Sequence, residues 1–281
     1  MTPFELHQPQ SLPEAIALLG GDETARPMSG GSALMLMMKA GVLRPSRLVC
    51  LNKLDLNEIQ VGPDGTLLVG SMVSLRNLER SDIVRRGWPV IARTLRTLSN
   101  VQVRNVATVG GHLAHADPHM DLPPLLSALG ARVTLEGPKG KRAVAVESIG
   151  TGYLETSIAR DELITRLEVP PLGKRRAAYL KCTTRSVDDW PALGVAAVLD
   201  LENGDFSLVI SAATDKPTRL FAAQKLLKGK SVSEALLRQA GEAAAEEVQI
   251  ESDLHGSAAY KKQLLRVYLG RAINEARKPV D

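Results

Sequence analysis

Arg26-Pro27-Met28-Ser29-Gly30-Gly31-Ser32-Ala33-Leu34 is one of two stretches on which the fold turns. The other is Ala107-Thr108-Val109-Gly110-Gly111-His112-Leu113-Ala114-His115-Ala116-Asp117-Pro118-His119-Met120-Asp121. Each sets two adjacent glycines beside hydroxyl side chains and ahead of an apolar run. Adjacent glycines let the backbone take positive φ and let a ligand come close to main-chain N–H groups. A single loop of this kind reads most simply as a strand-to-helix turn. Two of them, flanked by Ser29, Ser32 and Thr108, point to two cradles for one long phosphate-bearing ligand. Neither matches G-x-x-x-x-G-K-[ST] or G-x-G-x-x-G, so another phosphate geometry is required than that of a P-loop or a Rossmann unit.

Short helices and strands alternate outward from these loops. Ser11-Leu12-Pro13-Glu14 forms a capping box ahead of Ala15, Ile16, Leu18 and Leu19, and Gly20-Gly21 stops that helix. Ala33 to Lys39 reads as a buried helix ended by Gly41, with Met35, Met37 and Met38 as core. Leu48 to Leu51 reads as a strand, and Ile59 to Val61 pairs with Thr66 to Val69 around Gly62-Pro63-Asp64-Gly65. Ser74 to Glu79 and Pro89 to Leu98 read as helices. Asp121 sits where an N-cap belongs, ahead of Pro123-Pro124, Leu125 to Leu129 and the stop at Gly130.

Ala131 to Glu136, Ala143 to Val146 and Leu163 to Val169 read as strands. Pro170-Pro171-Leu172-Gly173-Lys174 then breaks the chain. The expected division is therefore residues 1–172, in two parts of about 1–55 and 56–172, and residues 173–281. The second unit reads as strands Ala177 to Thr183, Gly194 to Leu201 and Phe206 to Ala212, the last two joined at Asn203-Gly204. Helices at about Thr218 to Leu227, Ser233 to Glu247 and Ser257 to Ala276 complete an α+β pattern.

Composition narrows the function. At 281 residues with 44% hydrophobic content, the chain can bury a sizeable core. An aromatic share of 3% leaves few stacking platforms for single-stranded nucleic acid, and the net charge of +4 is not gathered into a long basic run. Nucleic acid is thus not an expected partner. No apolar run is long enough for a membrane span, and the opening lacks a secretory pattern, so a cytoplasmic location is expected. The two cysteines, Cys50 and Cys182, give neither a disulfide framework nor cluster spacing. Any iron–sulfur cluster must lie on another chain.

Several residues could carry chemistry. Backbone N–H groups around Gly30-Gly31, with Ser32 Oγ nearby, could hold a diphosphate at the start of a helix. In the second stretch Thr108 offers a hydroxyl, Gly110-Gly111 a close approach, and Asp121 a carboxylate; helix capping and ligand contact are compatible roles for Asp121. His112, His115, Asp117 and His119 have spacings that would suit a metal on one helix face, but the glycines before them and Asp117-Pro118 within them argue for a loop. No metal site and no catalytic triad or carboxylate pair is expected, which favours chemistry by a bound cofactor. Trp190 is either a flavin-stacking ring or an ordinary core or interface residue.

Pro27-Met28-Ser29-Gly30-Gly31-Ser32 resembles the first flavin loop of the FAD-binding medium subunits of the xanthine dehydrogenase and carbon monoxide dehydrogenase family. Thr108-Val109-Gly110-Gly111, with Ala114-His115-Ala116-Asp117-Pro118 and Asp121-Leu122-Pro123, resembles the second. Gln102-Val103-Arg104-Asn105, the group Lys181, Arg185 and Asp189, and Asp253-Leu254-His255-Gly256-Ser257 with Tyr260-Lys261 extend the resemblance over nearly the whole chain. Three departures stand out: His112 where Asn is usual, Ser29 for Ala, and a slightly longer stretch from Lys181 to Asp189 that ends in Trp190-Pro191.

The resemblance implies an FAD-binding domain of the vanillyl-alcohol-oxidase (PCMH-like) type followed by a small α+β domain. It implies non-covalent FAD held by Ser29, Gly30, Gly31, Ser32, Ala33, Thr108, Val109, Gly110, Gly111 and His112, with Asp121 and Lys181 as further contacts. A large partner subunit would carry molybdopterin and the substrate site, and a small partner two [2Fe–2S] clusters, in a heterotrimer or a dimer of heterotrimers. Electrons would pass from the clusters through FAD to an external acceptor. A self-sufficient flavin oxidoreductase and a non-redox nucleotide-binding scaffold are the alternatives.

Overall fold

The computed structural model describes residues 2–278. Strand β1 (Glu5–His7) and helix α1 (Leu12–Gly20) lead to β2 (Arg26–Met28), the first glycine pair, α2 (Ser32–Lys39) and β3 (Arg47–Cys50). These strands form a parallel sheet in the order β1-β3-β2. Ser11 Oγ accepts from the Glu14 N–H, as the capping box requires. The returning bond from Glu14 falls on the Gln10 N–H instead of that of Ser11.

The antiparallel hairpin of β4 (Ile59–Val61) and β5 (Leu67–Gly70) opens the next unit. Helices α3 (Leu75–Arg80), α4 (Asp82–Gly87), α5 (Pro89–Arg96), α6 (Val101–Val106), α7 (Val109–Ala114) and α8 (Leu122–Leu129) follow. Then come β6 (Arg132–Gly137), β7 (Gly140–Ala145), the small pair β8 (Gly150–Gly152) and β9 (Glu155–Thr156), and β10 (Leu163–Val169). The antiparallel sheet runs β4-β5-β10-β6-β7. Gly130 ends α8 in the left-handed conformation at φ 78°, as a glycine stop should.

The last sheet, β11-β12-β13-β14, is antiparallel and uses β11 (Arg176–Thr183), β12 (Pro191–Asp200), β13 (Asp205–Ser211) and β14 (Thr218–Arg219). Helices α9 (Phe221–Leu227), α10 (Glu234–Glu247) and α11 (Ala258–Arg277) follow it. The helix expected from Thr218 thus starts three residues later, because Thr218 and Arg219 pair with Ile210 and Val209 as an edge strand.

Strand β12 explains how the molecule holds together. Its residues from Pro191 to Leu199 are all buried, so it is covered on both faces. Ala196 and Val198 belong to the same apolar core as Leu125, Leu126 and Leu129 of α8. Leu193, Val195, Ala197 and Leu199, pointing the other way, pack with α10 and α11 through Leu237, Ala240, Leu265 and Leu269. A period of two along one strand therefore feeds two cores at once. One expected core element differs: α2 buries only Met38, and Leu36 is 67% exposed.

Because β12 is a wall common to two cores, the chain should unfold as one unit. Trp88 fluorescence, isolated in a Trp190→Phe variant, and far-UV circular dichroism should report a single coincident urea transition. Two separated transitions would show that the cores are energetically independent.

Candidate functional site

The two glycine pairs lie against each other. A methyl placed on Gly30 would overlap the Val106 carbonyl oxygen and come within 3.0 Å of Ala107 Cα. A methyl on Gly111 would reach to 2.5 Å from Ser29 Oγ, and one on Gly110 to 2.7 Å from Ser71 Cβ. Bare backbone at three of the four positions is thus what lets the chain segments meet. Of the four glycines only Gly31 has a positive φ, 71°, where it turns β2 into α2.

The second stretch corrects the sequence reading. Val109–Ala114 is helix α7, so Gly110 and Gly111 occupy a helical first turn and not a loop. Thr108 caps this helix by accepting from the Gly111 N–H at 3.2 Å. The Gly110 and Val109 N–H groups donate to Ser71 and Val73 carbonyls at 2.8 and 2.9 Å. These bonds leave two glycines in a helix, where their intrinsic preference is poor, because a side chain would collide with the neighbouring segments.

Polar atoms around the two pairs await a partner. Gly31 supplies no capping side chain to α2, so the first-turn N–H groups beyond it, at Ser32 and Ala33, face outward from the helix N-terminus uncapped. Among the described residues three buried side-chain polar atoms lack a hydrogen bond, and two of them, Ser71 Oγ and His112 Nε2, stand at the second glycine pair. His112 is 7% exposed, and burial, helped by His115 and opposed by Asp117, lowers its pKa to about 3. Open helix-terminal donors, hydroxyls and a neutral imidazole are the groups that a phosphate-bearing nucleotide would need, and the cradle fits such a ligand.

Asp121 and Lys181 meet, but in a way the sequence did not reveal. Asp121 stands at the N-cap position of α8 with helical backbone angles and makes no side-chain cap bond. Its carboxylate turns to the last sheet: Tyr179 Oη donates at 2.8 Å and Lys181 Nζ at 2.9 Å. Lys181 Nζ also donates to the Thr97 and Asp189 carbonyls at 2.7 and 3.2 Å. Burial pushes the Asp121 pKa up, while Lys181 and the Tyr179 hydroxyl pull it back. With Asp121 only 4% exposed and its oxygens engaged, the pair joins β11 to α8. Arg104, from the Gln-Val-Arg-Asn step, steadies the Thr97 end by donating to the Leu98 carbonyl at 3.0 Å and pairing with buried Glu79 at 3.0 Å.

A second bridge runs through His119. Its Nδ1 pairs with Asp117 at 2.9 Å and its Nε2 with Asp253 at 3.1 Å, while Asp253 also accepts from buried Lys261 at 2.6 Å. Trp190 stacks on the His119 ring with centroids 5.2 Å apart and 19° between planes, and it remains 46% exposed. Trp190 is therefore a half-covered surface ring and not core. Burial lowers the His119 pKa, but the two carboxylates outweigh it, so the net shift is upward. His112, His115, Asp117 and His119 do not converge; among the described residues no group of three or more His, Cys, Asp or Glu is placed to hold a metal ion. Tyr179, Thr97 and Ser71 were invisible to sequence reasoning because each acts through a partner far along the chain.

Known proteins resemble this chain in sequence and fold. The sequence family described as the FAD binding domain in molybdopterin dehydrogenase matches residues 2–172, and the CO dehydrogenase flavoprotein C-terminal domain matches residues 178–276. The carbon monoxide dehydrogenase medium chain of Afipia carboxidovorans is 33% identical, covering 98% of this chain and 96% of that one. The glyceraldehyde dehydrogenase medium chain of Sulfolobus acidocaldarius is 30% identical over 97% and 98%. A solved carbon monoxide dehydrogenase from Hydrogenophaga pseudoflava, lacking the Mo-pyranopterin moiety, superposes with a TM-score of 0.93 at 32% identity, covering 98% of both chains.

Two outcomes follow from the bridges. Lys181→Met should destabilise the fold by about 3–5 kcal/mol, since it leaves Asp121 buried without its counter-charge; adding Asp121→Asn should recover part of the loss in urea melts, and strict additivity would deny the coupling. His119→Gln should cost most at low pH. A group whose folded pKa is raised above 6.5 contributes fully below that value and loses its contribution as pH rises through the folded one. The difference in melting temperature between wild type and variant should shrink from pH 6 to pH 9; a growing difference would contradict the assignment.

Proposed function

The chain belongs to the FAD-binding medium-subunit family of molybdenum hydroxylases, and we propose that it holds FAD non-covalently across its two glycine pairs. In this reading Ser29, Gly30, Gly31, Ser32 and Ala33 form one side of the cradle. Thr108, Val109, Gly110, Gly111 and His112 form the other. The observation that carries the reading is the mutual contact of the two pairs, which sets the uncapped N-terminus of α2 beside the unpartnered Ser71 Oγ and His112 Nε2 at the second pair. Asp121 and Lys181 act from behind, holding β11 to α8 and so fixing the end of the second stretch.

Bound FAD would supply one- and two-electron chemistry, accepting electrons from two [2Fe–2S] clusters on a small partner subunit and releasing them to an external acceptor. A large molybdopterin subunit would bind and oxidise the organic substrate. The protein's own tasks are to bind and orient the nucleotide and to keep the join between its sheets rigid. It would work as one member of a heterotrimer, singly or as a dimer of them, in the cytoplasm. Its two thiols, Cys50 and Cys182, are free. The working division is residues 1–172, in parts of about 1–55 and 56–172, as the FAD-binding domain and residues 173–281 as the C-terminal domain.

The purified chain reconstituted with FAD should be yellow, and acid should release the flavin intact. Gly111→Val should lower FAD affinity at least tenfold, because the added methyls occupy the space between Ser29 and Thr108. Fluorescence titration beside a thermal melt separates lost binding from lost folding. Unchanged affinity would remove this stretch from the site. Turnover of aldehydes, purines or N-heterocycles by the isolated chain with a dye acceptor would show a self-sufficient enzyme instead.

A further inference from the structure

Resting on the FAD reading above, we propose that His112 takes up a proton from solvent when FAD binds, and holds the anionic diphosphate as an imidazolium. The geometry is specific to this chain. His112 follows Gly111 directly, and Gly111 lies against Ser29 of the first pair, so the imidazole is rooted at the seam where the two pairs meet. The side chain is buried, yet its Nε2 has no hydrogen-bond partner. A buried polar nitrogen left unpaired is costly, and a ligand that reaches it removes that cost.

Phosphate oxygens only accept hydrogen bonds, so Nε2 must carry a proton to meet one; the neutral Nε2–H tautomer and the imidazolium both supply it, and the charge of the anion favours the imidazolium. Burial and His115 keep the ring neutral despite the Asp117 carboxylate, with a pKa of about 3. A diphosphate reverses that balance, because an opposite charge within about 4–6 Å favours the charged form. Few other groups compete. The elements packed against α7 are β5, α8 and β10. Strand β5 and helix α8 carry no titratable side chain. On β10, Arg166 is exposed and Glu168 accepts from Thr134 Oγ1 at 2.8 Å. From its own segment the ring feels His115, which disfavours protonation, and Asp117, which favours it. Asp117 is already engaged with His119 at 2.9 Å. The first glycine pair brings only the hydroxyls of Ser29 and Ser32. The incoming anion is therefore the dominant charge at His112.

The sign of the effect follows. If the pKa rises on binding, FAD is held more tightly as pH falls, by up to about tenfold per pH unit where a full proton is taken up. Calorimetric titration of the full-length apo-protein with FAD, in MES and Bis-Tris at pH 6 and in HEPES and Tris at pH 8, counts the proton directly. Wild type should take up a substantial fraction of one proton at pH 6 and much less at pH 8, with affinity several-fold weaker at pH 8. His112→Asn, which keeps an N–H donor but cannot titrate, should show neither the uptake nor the slope. ADP-ribose, which carries a diphosphate esterified at both ends like that of FAD but no flavin, should draw the same proton.

Equal uptake in wild type and His112→Asn, or uptake with FAD but none with saturating ADP-ribose, would overturn the proposal. So would FAD binding without proton uptake in wild type, a result that leaves the FAD reading intact. Failure of wild type to bind FAD at any pH would instead overturn the FAD reading itself. A histidine-selective NMR titration of wild type needs no variant: one imidazole should move to its protonated position on adding FAD at pH 6, and an unmoved spectrum would contradict the proposal.

Discussion

The contact on which this structure depends is made of backbone alone: Gly30 lies so close to the Val106–Ala107 peptide that no side chain fits between them. Gly110 approaches Ser71 and Gly111 approaches Ser29 in the same manner. Close packing of this kind brings the start of α2 and the start of α7, from distant parts of the sequence, to one place. It also explains why two glycines are retained in the first turn of a six-residue helix, α7, where glycine is a poor choice on intrinsic grounds. Conformational freedom is needed at Gly31 alone; at the other three positions the absence of a side chain is what counts.

A cradle built from two segments is only as rigid as the frame behind it. The frame has an apolar part and a polar part. Strand β12 gives one face to the core containing α8 and the other to α10 and α11, so displacement of the last sheet would open both cores. The polar part pins the second stretch near its end. Asp121 is tied to Tyr179 and Lys181, and His119 is tied to Asp117 and Asp253. Buried ion pairs are weak sources of net stability, but removing one partner is strongly unfavourable, which makes them good positional clamps.

Much of the secondary structure was legible because its signals are local. The Ser11 cap, the glycine stop at Gly130 and the hairpin around Gly62–Gly65 each depend on residues a few positions apart. The helical state of Gly110 and Gly111 was not legible, since it is imposed by Ser71 and Val73 from a distant turn. The Asp121 carboxylate looked like a cap for the same reason: its actual partners, Tyr179 and Lys181, lie on β11. The methionines of α2 read as core from their chemistry alone, while α2 buries only Met38. The paired glycines and their flanking hydroxyls pointed to one ligand across both stretches, whereas the reason the stretches meet is steric and appears only in three dimensions.

The central claim is that two glycine pairs form a single nucleotide cradle. A crystal structure of the chain loaded with FAD tests it most directly. The diphosphate should lie within hydrogen-bond distance of the N–H groups at the start of α2 and of the Thr108–His112 segment at the same time. A diphosphate bound to only one of the two pairs, or FAD seated elsewhere, such as the groove of about 340 Å³ between Leu56, Glu136, Arg142 and Arg166, would contradict it.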